Sequence, residues 1–258
     1  MKDGVKLAVG TLSVLPVGVP SKVDRAVAGQ AMVLAPAVGL LLGGISAAVV
    51  AGADALRPDA PLLSAVLGIV VLVALSGALH LDGLADFADG LGSRRDRETM
   101  LRIMKQSDIG PFGVVSIAGV LLIDVAALSA CIQSGHGWQA LLIATAASRL
   151  TLPWSCRTTV PTARPDGLGA MVASTVRPLT AVLLTLLTTG IAGLLLRLGS
   201  ADLQTIVGAG AAALLAVVVG LSVVRRARKA LGGITGDVLG AAVELALPTA
   251  LLVLALTS

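Results

Sequence analysis

Long runs of apolar residues dominate the chain, and each run is about as long as a membrane core is thick. A helix needs about 20 mostly apolar residues to cross that core. Seven such stretches follow one another, separated by Pro, Gly or polar residues. They predict transmembrane helices at about residues 31–53, 62–81, 112–132, 138–155, 179–198, 205–224 and 238–257.

The segment that precedes the first span, from Val5 to Val17, is too short and too interrupted to cross a bilayer. We expect it to be interfacial or re-entrant. The sequence contains neither an internal repeat nor a low-complexity linker. It therefore predicts a single all-α domain, residues 1–258, folded as a polytopic integral membrane helical bundle of about seven transmembrane helices.

The composition agrees with a membrane protein. Of the 258 residues, 56% are hydrophobic and only 13% are charged, whereas a soluble domain carries about 25% charged residues. The 30 glycines would let helices approach closely. The net charge of +4 does not indicate a nucleic-acid partner in such a chain. The two cysteines, Cys131 and Cys156, indicate no disulfide framework.

The distribution of Lys and Arg predicts the orientation. With the N-terminus inside, 16 of the 19 cationic residues fall in cytoplasmic segments, as the positive-inside rule expects. Arg57 and Arg197 fall outside, and Arg149 lies within a span. The chain is therefore predicted to be N-in and C-out. The inner loops are the long ones, so a site is expected on the cytoplasmic face.

Three carboxylates share one helix face just after the second span. Asp82, Asp86 and Asp89 are spaced i, i+4, i+7 and fall within about 60° of one another on a helix. Three partly buried carboxylates repel one another, and a divalent cation removes that conflict. Mg²⁺ is the usual oxygen-liganded cation near phosphates. We therefore expect these three residues to bind a metal, with Asp108 as a further ligand.

Basic residues follow in the same loops. Lys105 ends an amphipathic stretch and is suited to phosphates. Arg164 lies in a polar loop, where a guanidinium can clamp a phosphate with two hydrogen bonds. Arg149 lies inside a span and requires a phosphate or a carboxylate such as Asp82 as its partner. Two alternatives remain open. Lys105 would only anchor the protein to lipid headgroups, and Arg164 would only contribute to the positive-inside topology.

A glycine-rich turn follows a basic cluster, Arg225–Lys229, and leads into the last span. Such turns offer backbone N–H groups to an anion, so Gly233 and Gly236 are predicted to bind substrate. Asp237 either caps the last helix or binds metal. Glu244 either supports Asp237 or pairs with another helix. Metal-binding acids and phosphate-binding bases on one face indicate phosphoryl transfer.

The motifs together resemble the cobalamin synthase family, adenosylcobinamide-GDP ribazoletransferase. The resemblance covers most of the chain, and its most specific part is the acidic segment. The segments that carry it are Leu12–Val17, Ala35–Gly43, His80–Gly92, Ile103–Gly113, Thr162–Gly169 and Gly232–Gly240.

The resemblance implies the last assembly step of vitamin B12, cobalamin. In that step the 3′-hydroxyl of α-ribazole, or of its 5′-phosphate, attacks the cobinamide phosphate of adenosylcobinamide-GDP, and GMP leaves. It implies Mg²⁺ as the cofactor and a multi-pass enzyme of the cell (inner or plasma) membrane, surrounded by lipid, with its active site facing the cytoplasm. The sequence does not decide whether the protein is a monomer or a homo-oligomer.

Residue roles follow from the resemblance as expectations. Asp82, Asp86 and Asp89 would be catalytic and hold one or two Mg²⁺, and one of these acids or Asp237 would be the general base. The expected diphosphate-binding residues are Lys105, Arg149 and Arg164.

Two other functions remain open at this point. The segment Asp86–Gly90 also carries the Asp-x-x-Asp-Gly pattern of membrane CDP-alcohol phosphotransferases, which make lipids by related chemistry. A transporter is the alternative from another class. Transporters usually place polar groups near the middle of the bilayer and contain inverted repeats.

Overall fold

The structure is a computed structural model that describes residues 2–199 and 201–258. Within these residues the chain folds into twelve α-helices and no β-strand, which confirms the all-α prediction. The helices are α1 Lys2–Leu12, α2 Arg25–Leu56, α3 Pro61–Ser76, α4 Leu79–Gly92, α5 Arg97–Ile103, α6 Pro111–Gln133, α7 Gly137–Arg149, α8 Thr151–Ser155, α9 Gly167–Val172, α10 Pro178–Leu198, α11 Leu203–Leu231 and α12 Gly236–Thr257.

Five helices are long and apolar enough to cross a membrane: α2, α6, α10, α11 and α12. The bent pair α3 and α4 makes a sixth if the two are counted as one span. These helices support the predicted multi-pass membrane fold, but the predicted number of seven is higher than the number found. The fourth predicted span is divided at Leu150 into α7 and α8, of 13 and 5 residues, and neither is long enough to cross alone.

The second predicted span is interrupted by a sharp turn. Gly77 and Ala78 both adopt left-handed backbone conformations, with φ of 62° and 55°, and α4 leaves at 86° to α3. Glycine adopts this conformation freely, whereas it costs alanine about 1–2 kcal/mol. The N-terminal segment packs on the turn, where the Val14 N–H donates to the Leu75 carbonyl at 2.8 Å. The acidic helix α4 is therefore separate from the second span.

Small residues bring the helices close together, as the glycine content predicts. A Cβ atom on Gly39 of α2 would lie 2.7 Å from the Thr145 carbonyl oxygen of α7, so the two backbones touch at this point. Helix α12 is the central helix of the bundle and packs against α4, α6, α7 and α11. Its position makes α12 the element against which the acidic helix is aligned.

The N-terminal helix α1 is too short to span, as predicted, and packs against α2. The extended segment after it returns to the start of α1, where Asp3 accepts hydrogen bonds from the backbone N–H and the hydroxyl of Ser21 at 2.9 and 2.8 Å. Both hydrogen bonds lower the pKa of Asp3, and the bond from the backbone N–H has the larger effect. The ionised carboxylate therefore fixes the segment on α1.

The two cysteines do not pair. Cys131 and Cys156 are both free and buried.

Two loops at one end of the bundle are joined through their backbones: the loop after α8 and the turn between α11 and α12. The Ile234 N–H donates to the Pro161 carbonyl, and the Ala163 N–H donates to the Ile234 carbonyl, each at 2.9 Å. A Cβ atom on Gly233 would lie 2.5 Å from the Pro161 carbonyl oxygen. Only glycine permits this approach, so Gly233 serves loop packing. We call this end of the bundle the loop end.

Candidate active site

A cavity of about 380 Å³ opens at the loop end, between α4, α12 and the two joined loops. Side chains of both charges line it, together with glycines of α4 and α12. Its charged lining residues are Asp82, Lys105, Arg164, Asp166 and Asp237. Four of these five were predicted as site residues, and the fold brings them together from four separate segments.

The crossing of α4 and α12 forms the wall of the cavity. A Cβ atom on Gly83 would lie 3.0 Å from both the Cα and the carbonyl oxygen of Asp237, and one on Gly240 would lie 3.1 Å from the His80 carbonyl oxygen. The two helices can be this close only because neither glycine has a side chain. As a result, Asp82 and Asp237 reach the same cavity from opposite helices.

The three acids of α4 differ in their surroundings. Asp82 is exposed, Asp86 is half-buried and Asp89 is buried. The negative charges of Asp82, Asp237 and Asp89 all act on Asp86, and the positive charge of Arg164 opposes them. Asp86 does not line the cavity, but it lies among these negative charges, where a cation is electrostatically favoured.

Asp89 has backbone partners. Its two carboxylate oxygens accept hydrogen bonds from the Gly110 and Gly113 N–H groups, at 2.7 and 3.0 Å. Gly110 is the N-cap residue of α6, and the first N–H groups of a helix lack partners within the helix. Asp89 therefore fastens α6 to α4. Its predicted metal-binding role stays a prediction.

Asp237 faces the cavity because another residue caps α12. The Thr235 hydroxyl accepts a hydrogen bond from the Val238 N–H at 3.3 Å and is the N-cap side chain of α12. The same hydroxyl donates to Oδ2 of Asp237 at 3.1 Å. The capping role considered for Asp237 is therefore wrong, and its carboxylate is available to a ligand.

Two of the three predicted phosphate-binding cations line the cavity. Arg164 donates to the Leu101 carbonyl at 2.7 Å, and its Nη1 lies 3.9 Å from Oδ2 of Asp237. Its side chain is only 16% exposed, so these contacts fix its direction. Lys105 Nζ lies 3.6 Å from Oδ2 of Asp166. That pair is exposed, and such pairs contribute only about 0–1 kcal/mol, so Lys105 can turn to a ligand at little cost.

Arg97 was not singled out in the sequence, where it is one of several cationic loop residues. Its guanidinium donates to the Leu231 carbonyl and to the Ala163 carbonyl, each at 2.7 Å. It thereby joins the start of α5 to the end of α11 and to the loop that carries Arg164. Only the tertiary structure reveals this role, because the acceptors are backbone groups far away in sequence.

Arg149 does not line the cavity. It is 1% exposed and donates to the Ser148 hydroxyl at 3.1 Å. Glu244 is the carboxylate whose charge attracts it. The expected partner Asp82 is therefore replaced by Glu244, and the predicted contact between Arg149 and a diphosphate has no support in the structure.

Further buried polar groups surround this pair. His80 Nδ1 lies 3.9 Å from Oε1 of Glu244, and the charge of Glu244 also acts on Asp124 of α6. Neither nitrogen of His80 and neither oxygen of Asp124 has a hydrogen-bond partner within the described residues. Glu244 was predicted either to support Asp237 or to interact with another helix. The structure favours the interaction with another helix, because Glu244 is buried in the bundle and does not line the cavity.

The remaining predicted residues divide between the cavity and its supports. Gly236 lines the cavity, whereas Gly233 packs against the loop after α8. Asp108 is exposed in the turn before α6 and does not appear among the residues that line the cavity. Its role as a metal ligand stays a prediction.

The carboxylates at the cavity suit a hydrated magnesium ion. Among the described residues, no three Asp, Glu, His or Cys side chains lie close enough together to hold a metal ion by themselves. Mg²⁺ usually keeps several waters and is bound by one or two carboxylates together with substrate phosphates. Asp82, Asp86 and Asp237 lie within electrostatic range of one another, so one or two of their carboxylates could supply oxygen ligands. This donor set fits an ion that a bound phosphate would complete.

Comparisons with known proteins address the whole chain. The family model described as cobalamin-5-phosphate synthase matches residues 4–255. The chain belongs to this family. The match runs from α1 to α12 and includes every residue of the cavity, which confirms the resemblance seen in the sequence. No solved structure matches the chain.

Individual members of the cobalamin-5-phosphate synthase family are similar over nearly their full length. A protein of Frankia casuarinae is 42% identical over 95% of this chain and 92% of its own. One of Nocardioides sp. is 40% identical over 98% of each chain. One of Pseudomonas aeruginosa is 40% identical over 97% of this chain and 96% of its own. All three are named adenosylcobinamide-GDP ribazoletransferase.

Proposed function

We propose that this chain transfers the adenosylcobinamide phosphate moiety from adenosylcobinamide-GDP to α-ribazole or its 5′-phosphate. The products are adenosylcobalamin, or its 5′-phosphate, and GMP. The observation that carries this proposal is the cavity in which Asp82 and Asp237 face Arg164 and Lys105. It lies in a chain that belongs to the cobalamin-5-phosphate synthase family over its length.

The basic side chains would position the diphosphate of the donor. Arg164 is held by the Leu101 carbonyl and presents a planar guanidinium, which matches phosphate oxygens. Lys105 would exchange its exposed partner Asp166 for a phosphate oxygen. Because both cations are in place before the reaction, they stabilise the charge that develops on the transferred phosphoryl group.

The acidic side chains would hold Mg²⁺. Asp82 and Asp86 approach from α4 and Asp237 approaches from α12, and the ion would be shared with the phosphates. When bound, it would neutralise charge on the phosphoryl oxygens. The charge concentration around Asp86 supports this assignment, because the carboxylates otherwise repel one another.

The transfer exchanges one phosphorus–oxygen bond for another. The acceptor hydroxyl oxygen bonds to the phosphorus that carries cobinamide, and the bond from that phosphorus to the oxygen of GMP breaks. GMP leaves with the bonding electrons. The hydroxyl proton passes to a carboxylate in or beside the cavity, which acts as general base. Asp82, Asp86 and Asp237 are the candidates for this role.

The proposed location is the plasma membrane, or the inner membrane of a cell that has two. The concentration of Lys and Arg in the segments that build the loop end supports a cytoplasmic cavity. Such an orientation gives the charged nucleotide substrate direct access. Membrane lipids would cover the apolar faces of the spanning helices.

The proposal is tested by turnover in liposomes. Purified protein receives adenosylcobinamide-GDP and α-ribazole, and GMP and the corrinoid product are measured by chromatography. We expect the two products to form in equal amounts. Folded protein that gives no product with verified substrates would overturn the assignment. Transfer from a CDP-alcohol in the same assay would instead identify a lipid phosphotransferase.

A further inference from the structure

A second groove at the loop end is lined mainly by cations. Its volume is about 520 Å³, and it shares no lining residue with the catalytic cavity. It lies where the end of α8 meets the last turns of α11. Its lining residues are Arg157, Leu221, Val224, Arg225, Arg228 and Lys229.

The positive charge in this groove is not neutralised by the protein. None of the four cations takes part in an ion pair within the part of the chain that the structure describes. Arg157 is half-buried, donates to the Trp154 carbonyl at 2.8 Å and is repelled by the charge of Arg228. The carbonyl end of α11 offsets part of this repulsion. An anion between the two guanidinium groups would remove the rest.

An exposed apolar stripe leads from the groove along α11. Leu214 and Val218 are 58% and 53% exposed. They lie on the same face as Leu221, Arg225 and Arg228, because these five residues are spaced by three and four positions. One face of the helix is therefore cationic at the loop end and apolar beyond it. The cationic part is complementary to the anionic headgroup of a phospholipid, and the apolar part is complementary to its acyl chain.

The length of the stripe also suits a lipid chain. From Leu221 back to the exposed Val207 there are 14 residues, or about 21 Å of helix at roughly 1.5 Å per residue. One leaflet of the hydrocarbon core is about 15 Å thick, half of the whole. An acyl chain that starts beside Leu221 can therefore stay in contact with α11 across its leaflet.

We propose that this groove binds the phosphate of an anionic glycerophospholipid, with an acyl chain along α11. Basic pockets between transmembrane helices are suited to such headgroups. The bound lipid would also brace the catalytic loops, because Arg157 opens the loop that carries Arg164, and Lys229 lies just before the turn that leads into α12 and Asp237. A free phosphate would use the cations but not the apolar stripe.

The binding test compares two spin-labelled lipids, phosphatidylglycerol and phosphatidylcholine, on protein reconstituted in phosphatidylcholine vesicles. We expect preferential immobilisation of phosphatidylglycerol. In the double variant Arg225→Gln/Arg228→Gln this preference should fall by about fivefold for each cation removed. The charge-keeping variant Arg225→Lys/Arg228→Lys should retain most of it. The matched control Arg94→Gln/Arg95→Gln also removes two exposed cations and should keep the preference.

Three outcomes would overturn the proposal. The first is an equal preference for both lipids in the unmodified protein. The second is an equal loss in the groove variant and in the control, which would indicate diffuse surface charge. The third is displacement of the labelled lipid by inorganic phosphate at constant ionic strength, which would indicate a site for a soluble anion. None of these measurements depends on turnover, so they are independent of the proposed function.

Discussion

Gly83 of α4 and Gly240 of α12 lie against each other where the two helices cross. A Cβ atom placed on either glycine would lie 3.3 Å from the Cα atom of the other. This crossing sets the separation between Asp82 and Asp237, each of which precedes the crossing glycine of its own helix. The geometry of the acidic site therefore depends on two residues that carry no functional group.

A side chain at this crossing should impair activity more than it impairs folding. In Gly83→Ala the new methyl group meets backbone atoms of Asp237 at 3.0 Å, and such overpacking costs about 1–3 kcal/mol. A displacement of about 1 Å between catalytic groups can cost roughly 100-fold in rate. We expect turnover to fall at least tenfold, measured with the donor and acceptor in liposomes.

Gly119→Ala is the matched control for that change. Gly119 is also helical, and a Cβ atom there meets nothing within 4 Å. Turnover and thermal unfolding should stay near those of the unmodified protein. Equal effects of the two substitutions would show that the crossing does not position the site.

Asp86→Asn should abolish turnover and leave the protein folded in the membrane. The amide has nearly the same shape, and the substitution removes the repulsion between Asp86 and the negative charges of Asp82, Asp89 and Asp237. What is lost is a ligand for the cation and a candidate proton acceptor, so we expect a decrease of at least about 100-fold. The control is Asp54→Asn, at the end of α2 and outside the cavity. Retained turnover in Asp86→Asn would refute its assigned role.

Magnesium should be required for the reaction. Chelation by EDTA should stop GMP release, and added Mg²⁺ should restore it, because the cavity carboxylates and the diphosphate otherwise repel one another. In Asp82→Asn half-maximal activity should need more Mg²⁺ than in the unmodified protein. Full activity in the chelator would exclude the metal-binding role of these acids.

Arg97→Lys should loosen the loop that carries Arg164. Lysine keeps the charge but lacks the planar fork that bonds to the Leu231 and Ala163 carbonyls. Hydrogen bonds of a charged donor contribute about 1.5–3 kcal/mol, and we expect a loss of that order in the free energy of unfolding, with a raised KM for the donor. Arg94→Lys is the control, because Arg94 is exposed. Unchanged stability and KM in Arg97→Lys would contradict the bracing role.

Arg149→Met should destabilise the bundle strongly. The substitution removes the positive charge that acts on the buried carboxylate of Glu244, and because the two side chains form no ion pair within 4.0 Å, we expect a loss of about 1–3 kcal/mol. The double variant Arg149→Met/Glu244→Gln should recover much of that loss, as a double-mutant cycle of unfolding free energies would show. Additive losses would mean that the two charges do not interact.

The sequence by itself determined the class of the fold and the family. Twenty apolar residues in a row can hide their backbone polar groups from lipid only as a helix, so the spans could be read without a structure. The spacing of Asp82, Asp86 and Asp89 placed them on one helix face, and the motifs identified the family. Both inferences depend on residues that are close in sequence, where helical geometry alone decides the outcome.

Only the tertiary structure decided which groups meet. It turned the chain at Gly77 and Ala78 and packed α4 against α12. It placed the Asp89 oxygens within hydrogen-bonding distance of N–H groups at the start of α6, and Arg149 within electrostatic range of Glu244. These contacts join segments that are far apart in the chain. Their partners depend on how small residues let particular helices pack, and that packing is a property of the whole bundle rather than of any local pattern.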